Sequence, residues 1–471
     1  YEVKECDWSS DVCSSDLGGL GTGVAGAFPR WTGVAEGGSA MMHSFLALGI
    51  FVAAFVLIAT ERINKVLVVL VASAAMIVTG VSPGNEVFYS HEVGIDWDVI
   101  FLLMGMMIIV GVLKQTGIFE FLGVWAAKNS RGHPYRLMVM FMLITAIASP
   151  ILDNVTIIML VVPVTIVVCN RLQIPAQPYV IAEILASNIG GAATLIGDPP
   201  NIIIANQAGL SFNDFLVHMA PIVAITFVLF VLLTRFMFRK EFRYNPEHVD
   251  SVMALQERRA ITDRPLLVKS LIVVNAVIIG FTLHTVLHMA PSIIALIGAL
   301  VMILVTGIDI GEVITEVEWP TLVFFAGLFI MVGGLVHTGI IEAIGQWAIG
   351  AVGHDYTLAA ATLLFGSAAL GAFFDNIPYA ATMAPIVDVL VTYGSDSHDG
   401  AFLWWAFALG ADFGGNGTAV AASANVVGIG LAARSGHKIT FWHFTKYGIL
   451  TTVFTTIIAW IYIYLRYIAF A

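Results

Sequence analysis

The chain has 471 residues, of which 59% are hydrophobic and only 11% charged, where a soluble domain usually carries about twice that charged fraction. Its net charge of −11 comes without a basic stripe interleaved with aromatics, so nothing in it reads as a nucleic-acid-binding surface. The tracts 41–60, 66–85 and 270–308 contain no Asp, Glu, Lys or Arg, and a bilayer core asks for about 20 apolar residues per helix, which excludes a soluble globular core.

Residues 1–40 precede the first apolar tract. Within them Trp8–Leu17 reads WSSDVCSSDL, which resembles translated sequencing-adapter sequence, so 1–17 is set aside as an artefact. Cys6 and Cys13 fall inside that stretch. Cys169 alone remains, leaving no disulfide framework and no thiolate metal site.

In chain order the membrane segments are expected at 42–59, 63–82, 97–113, 135–152, 154–170, 178–208, 217–236, 268–285, 289–308, 319–336, 358–374, 377–393, 401–430 and 447–465. Segments 135–152 and 154–170 meet at Pro150-Ile-Leu-Asp153-Asn154, where proline and a polar pair break a long helix. A re-entrant hairpin with its tip buried in protein accommodates that. Segment 178–208 contains Asn188-Ile-Gly190-Gly191 and Gly197-Asp198-Pro199-Pro200-Asn201, and reads as a spanning helix unwound in its middle.

The second half repeats the first. At an offset of 222 residues, Trp97, Gly105, Gly111, Gly117, Gly123 and Trp125 match Trp319, Gly327, Gly333, Gly339, Gly345 and Trp347. Asp153-Asn154 matches Asp375-Asn376 and Pro163 matches Pro385. After a two-residue insertion, Gly190-Gly191, Thr194 and Asn201 match Gly414-Gly415, Thr418 and Asn425. Two merely greasy halves would not keep rare Trp, Asp-Asn and Gly-Gly positions in register.

Each repeat, 41–240 and 268–468, then holds five crossings joined through the linker 241–267. An odd number of crossings inverts the second repeat relative to the first. The fold class is therefore an all-α polytopic membrane protein with two inverted-topology repeats, re-entrant hairpins and broken helices. Charge agrees: 18 of the 21 Lys and Arg fall on one side of this scheme, the side that the positive-inside rule makes cytoplasmic. The loop 81–96 and the stretch 337–357 carry none. The expected location is the cell membrane, with the central loop 236–267 cytoplasmic.

Inverted repeats with helices broken at mid-depth are the architecture of secondary transporters. Unwound backbone offers carbonyls to cations, and helix N-termini offer N–H groups to anions. The expected substrate- and ion-binding residues are therefore Asp153, Asn154 and Thr156 at one tip and Asp375 and Asn376 at the other. One break contributes Asn188, Gly191, Thr194, Asp198 and Asn201; the other contributes Asp412, Asn416, Gly417, Thr418, Ser423 and Asn425. Oxygen ligands suit Na⁺, and Asp153, Asn154, Asp375 and Asn376 are the candidates to hold it. No cofactor is expected beyond a coupling ion, Na⁺ or H⁺.

Each candidate has a structural rival. Asp153, Asp375 and Asp198 suit helix N-caps, although ionisable residues at membrane depth default to function. Asn201 and Asn425 suit caps of the second half-helices. Thr156, Thr194 and Thr418 suit back-bonding to their own helices, and the paired glycines suit backbone geometry. Asp412 stands where the first half has Asn188, so the repeat breaks in charge there; it reads as a proton or cation site, or as a buried acid kept neutral. Glu183 reads as part of a proton path or as a snorkelling acid. His284 and His288 lie at an outer turn without further ligands.

The segments SPILDNVTIIMLVVPVTI, ASNIGGAATLIGDPPNIIIANQ, GAFFDNIPYAATMAPIV and LGADFGGNGTAVAASANVVGIGLAARSGHKITFWHF resemble the ArsB/NhaD branch of the ion transporter superfamily, and within it the group containing the melanosomal P protein. The resemblance covers residues 42–465. It implies a homodimer working by an elevator-like movement of a transport domain against a scaffold, with the site residues above at the family's hairpin and unwound-helix positions. Related dicarboxylate carriers have Ser-Asn-Thr at the tips. Here Asp-Asn-Val-Thr and Asp-Asn-Ile-Pro add negative charge, which disfavours a free dianion and favours a cation-linked, neutral or oxyanion cargo of the arsenite or antimonite type.

Three classes compete. A secondary ion transporter, a Na⁺/H⁺ antiporter among its forms, explains the repeat, the breaks and the charge asymmetry. An anion channel or a dicarboxylate symporter uses the same fold. An intramembrane aspartyl protease also places two Asp at mid-depth, but its Gly-x-Gly-Asp signature is absent. Without a Walker A sequence the chain is not expected to be an enzyme. Its partners are the bilayer and a small inorganic ion, with room for a separate ATPase subunit.

Overall fold

A computed structural model describes residues 37–59, 62–90, 93–242, 249–254, 257–352, 355–394 and 398–469. The segment 1–17 lies outside the described residues, as does most of 1–40.

The first repeat runs α1 (Gly37–Ala59), α2 (Lys65–Val78), α3 (Trp97–Gln115), α4 (Ile118–Asn129), α5 (Pro134–Ala148), α6 (Asn154–Leu172), α7 (Gln177–Gly191), α8 (Pro199–Ala208), α9 (Phe212–His218) and α10 (Ala220–Met237). The short α11 (Val249–Met253) lies in the linker. The second repeat runs α12 (Arg264–Leu287), α13 (Pro291–Thr306), α14 (Ile310–Thr315), α15 (Trp319–His337), α16 (Ile340–Val352), α17 (Tyr356–Gly371), α18 (Asn376–Gly394), α19 (Leu403–Gly414), α20 (Ser423–Arg434) and α21 (Phe441–Ile463). Among the described residues, seven helices are long and apolar enough to cross a membrane.

Local chemistry sets the boundaries. Asn64, Asp96 and Asp153 cap α2, α3 and α6 by accepting from first-turn N–H groups. Pro134 opens α5, where its missing N–H costs nothing. The hairpins α5–α6 and α17–α18 turn where expected. The two broken spans unwind over 192–198 and 415–422.

Three boundaries differ from expectation. The stretch 115–135, between two expected segments, contains α4, and 337–357 contains α16; at 12 and 13 residues they are too short for a spanning-tract criterion. Both start just after a glycine in the left-handed region, Gly117 at φ 75° and Gly339 at φ 74°, so the repeat extends to backbone geometry. Segment 217–236 is mainly α10, which begins at Ala220 with Pro221 in its first turn; the short α9, started by the Ser211 capping box, precedes it. The last helix begins at Phe441, not 447, behind the Thr440 cap.

The helices pack as two bodies. In one, α3 lies along α13 and α15 lies along α2, with α12 on α13 and α1 on α2. Close approach is set by small residues: a Cβ on Gly105 would come within 2.9 Å of the Ala295 backbone, and its repeat mate Gly327 lies against Val69 in the same way. In the other body α5 packs on α7, α17 on α19, α6 on α20 and α18 on α8, with α10 and α21 alongside. Direct contact between these helices of the two bodies is sparse, chiefly α15 with α18 and α3 with α8, while α4, α9 and α16 link the bodies. The hairpin tips and helix breaks belong to the second body.

Candidate functional site

The two hairpin tips converge on one carboxyl. Asn154 Nδ2 donates to Asp198 Oδ2 at 2.7 Å, and Asn376 Nδ2 approaches the same oxygen at 3.5 Å. Asp198 stands at the N-cap position of α8 but accepts no cap bond; it joins the tips instead. The Asn154 amide is fixed through its Oδ1 by Ser149 and by Ser187 Oγ at 3.4 Å. The Asn376 backbone N–H donates to the Ala421 carbonyl at 3.1 Å, tying the second tip to the second break.

Asp153 and Asp375 do not join this centre. Asp153 accepts from Thr156 N at 2.9 Å and from the Thr156 hydroxyl, so Thr156 serves the cap. Asp375 accepts from Ile377 N at 3.2 Å, while its other oxygen lies 2.9 Å from Lys65 Nζ. Both Asp residues line a cavity, whereas Asn154 and Asn376 are buried behind it.

Asparagines tie the breaks together. Asn188 Nδ2 donates to Asn425 Oδ1 at 2.9 Å and to Asn416 Oδ1 at 3.2 Å. Asn425 Nδ2 donates to the Gly415 and Thr418 carbonyls at 2.7 and 2.8 Å. In the other break, Asn201 Nδ2 donates to the Thr194 carbonyl at 3.2 Å. Asn201 and Asn425 therefore hold the unwound backbone and do not cap the half-helices. Thr194 Oγ1 donates to the Pro150 carbonyl and accepts from Gly197 N, joining the first break to the first tip. Gly191 touches Asn154 Oδ1 and the Gly197 carbonyl, and Gly417 lies against Ala372, so neither leaves room for a Cβ. The Thr418 hydroxyl, Asn416 Nδ2, Asn201 Oδ1 and both Asp412 oxygens are buried without a partner.

A cavity of about 550 Å³ separates the two bodies. The scaffold side contributes Asn64, Lys65, Met107, Glu318 and Phe324; the other side contributes Asp153, Asp375, Pro199, Ser423 and Val426. Lys65 and Glu318 are absent from the expected site. Counting cations by side gives Lys65 no role in the site, but its ammonium reaches across to Asp375 and to Ser423 Oγ at 3.0 Å. Burial holds the Glu318 carboxyl above the usual carboxylate range, and the Asp153 charge adds to this. The repeat itself could have flagged Glu318, because it matches the α3 cap Asp96.

A second cavity of about 130 Å³ is lined by Asp98, Val99, Leu102, Ile202 and Asn206. Asp98, Val99 and Leu102 are the repeat mates of Pro320, Thr321 and Phe324, and Ile202 is the mate of Val426. The small cavity is thus the inverted-repeat counterpart of the large one. Ile202 is 3% exposed and Val426 42% exposed.

The four Na⁺ candidates are engaged with protein groups in this structure. Two are amides whose NH₂ groups point at Asp198, one carboxylate caps α6 and the other faces an ammonium. What converges instead is a carboxyl held by both tips, beside a cavity lined by three carboxyl groups and one ammonium.

Comparisons with known proteins agree with this architecture. A family model described as a citrate transporter, CitMHS, matches residues 55–410. An uncharacterized transporter of Mycobacterium tuberculosis is 50% identical over 424 residues, spanning 90% of this chain and 99% of that one. The 46 kDa membrane protein of Mycobacterium leprae is 49% identical over 426 residues, 90% and 99% of the two chains. The P protein of Mus musculus is 31% identical over 500 residues, spanning 90% of this chain and 60% of the relative. The solved YdaH transporter of Alcanivorax borkumensis superposes with a TM-score of 0.55 at 15% identity, covering 90% of this chain and 97% of that one. MtrF of Neisseria gonorrhoeae, from a class of antimetabolite efflux pumps, superposes with a TM-score of 0.57 at 11% identity over 92% and 95%; both likenesses concern the fold alone. With the family model matched across most of its length and relatives aligned end to end at half identity, the chain is a membrane transporter belonging to the CitMHS citrate transporter family.

Proposed function

We propose that the protein is a secondary active transporter of a small ion, working by an elevator-like movement of the hairpin-bearing body against the scaffold. The observation that carries this reading is the pair of inverted-repeat cavities, one open at about 550 Å³ and its counterpart nearly closed at about 130 Å³. Exchanging the conformations of the two repeats would close the first and open the second, which is alternating access. Sparse contact between the bodies leaves such a movement room. With 236–267 cytoplasmic, as the positive-inside rule has it, the open cavity faces the cytoplasm of a cell-membrane protein.

Charge constrains the cargo. Asp153, Asp375 and Glu318 face one Lys65 across the cavity, so an anion enters favourably when cations accompany it. We therefore take the cargo to be a small ion coupled to H⁺ or Na⁺. Citrate is the first anion to test, because the matched family model is described as a citrate transporter. Na⁺/H⁺ exchange is the second reading, favoured by the excess of carboxyl groups. The finer ArsB/NhaD placement and its arsenite- or antimonite-type cargo find no support in the matches, and we do not propose them. A homodimer is part of the proposal; a separate ATPase is not required by it.

The test is flux in proteoliposomes holding the full chain, with radiolabelled citrate outside and an imposed pH or Na⁺ gradient. Saturable uptake that follows one gradient supports the proposal. Uptake that is linear in concentration and indifferent to both gradients indicates a channel. If citrate is not taken up, but Na⁺ addition collapses a pH gradient read by an internal dye, the antiporter reading takes its place.

A further inference from the structure

Asp412 lies on α19 with no exposed surface, and neither of its carboxyl oxygens has a hydrogen-bond partner. An ionised carboxylate left so would carry the uncompensated desolvation cost of a buried unpaired ion. Its repeat mate shows what the position requires. Asn188 holds the matching place on α7 and donates Nδ2 to Asn425 Oδ1 at 2.9 Å, while Asn425 donates to the Thr418 carbonyl at 2.8 Å. The other half reproduces the second link: Asn201, mate of Asn425, donates to the carbonyl of Thr194, mate of Thr418, at 3.2 Å. The first link is missing. Asn201 Oδ1 has no donor, and the Asn201 side chain is the hydrogen-bonding group that faces Asp412. An amide can donate at this position and a carboxylate cannot, but a carboxylic acid can.

We propose that Asp412 is a proton-binding site, a carboxylic acid in this conformation whose O–H donates to Asn201 Oδ1 as Asn188 donates to Asn425 Oδ1. Asp412 acts as a like charge on Asp198, at the break before α8. The hydroxyl of Ser367 on α17 accepts from Tyr379 of α18, and that of Thr452 on α21 donates to the Phe413 carbonyl. On the α7 side, Asn188 is committed to Asn425 and Asn416. No Lys, Arg or His is hydrogen-bonded to Asp412 among the described residues. Its role in coupling rests on the transporter reading above: a proton on the moving body crosses with it.

The test is infrared difference spectroscopy on the purified full-length protein in lipid nanodiscs at neutral pH, which needs no cargo. Wild type minus Asp412→Asn should show a carbonyl stretch of a hydrogen-bonded carboxylic acid that the variant loses. Asp412→Asn is expected to fold, because it installs the Asn pairing already present in the other repeat. Asn201→Ala should keep the band but move it to the higher frequency of a free acid. Glu183→Gln, which removes a different buried acid, should leave the Asp412 band in place. If no band is lost in Asp412→Asn, or if Asn201→Ala leaves the wild-type band unmoved, the proposal is overturned. Should Asp412→Asn fail to fold, the Asn201→Ala spectrum decides alone. A protein inactive in every flux assay still answers this experiment, and normal flux without the band refutes the proton site alone.

Discussion

Lys65 Nζ lies 2.9 Å from Asp375 Oδ2 and 3.0 Å from Ser423 Oγ, so one side chain of the scaffold holds both the second hairpin tip and the start of α20. The pair spans the two bodies and must break when one moves past the other. Lys65→Ala and Asp375→Ala should each lower thermal stability in detergent. In a double-mutant cycle the coupling should be about 1 kcal/mol, the range for a part-exposed ion pair. Purely additive losses would show the pair to be incidental. Flux should fall about tenfold or more in Lys65→Ala, because a free carboxylate then remains in the cavity.

The two tips hold Asp198 unequally. Asn154 reaches it at 2.7 Å and Asn376 at 3.5 Å. Removing a donor from a buried carboxyl costs about 1–3 kcal/mol. Asn154→Ala should therefore lower Tm more than Asn376→Ala in this conformation. Equal losses would place both amides at equal distance in solution and contradict the geometry described.

Much of this was legible in the sequence because the interruptions have one-residue causes. Pro150, Asp153-Asn154 and Gly190-Gly191 mark helix ends, and the second half repeats Asp-Asn and Gly-Gly in register. Helices α4 and α16 were not legible, since they are too short to show as spanning tracts. The meeting of Asn154 and Asn376 on Asp198 joins residues 44 and 178 positions away from it, which no local pattern encodes. Lys65 was not legible as a site residue for a physical reason: the positive-inside rule counts cations by side and does not distinguish a lysine in headgroups from one reaching into a cavity.

Gly191 is expected to be intolerant of any side chain. A Cβ there would overlap Asn154 Oδ1 and lie 2.8 Å from the Gly197 carbonyl, pushing the first tip off Asp198. Gly366, on α17, has open space at the same position. Gly191→Ala should abolish flux or folding, while Gly366→Ala should behave as wild type. A functional Gly191→Ala protein would mean that the break relaxes freely and that the tip contact is not needed.

Glu318 gives a pH dependence of defined sign. Burial raises its carboxyl above the ordinary Glu range in the folded protein, so between the unfolded value of about 4.3 and the raised one the unfolded chain has lost its proton and the folded chain has not. Stability must fall as pH rises through that window. Glu318→Gln removes the effect: its Tm should exceed that of wild type at neutral pH, and the difference should vanish below the ordinary Glu range. An unchanged difference across pH would assign the gain to packing instead.

Alternating access is readable at Ile202 and Val426, which occupy matching places in the two repeats but are 3% and 42% exposed. Replace Cys6, Cys13 and Cys169 with serine, then introduce Ile202→Cys or Val426→Cys. In the conformation described, a hydrophilic maleimide should label Cys at 426 quickly, and only from the side on which the large cavity opens. Cys at 202 should label slowly. Cross-linking cysteines at positions 96 and 206, where Asp96 and Asn206 are hydrogen-bonded across the narrow cavity, should leave 426 reactive, suppress 202 and stop flux until a reductant is added. If cross-linked protein transports normally, the narrow cavity is no closed counterpart of the wide one, and movement of one body against the other is ruled out as the basis of transport.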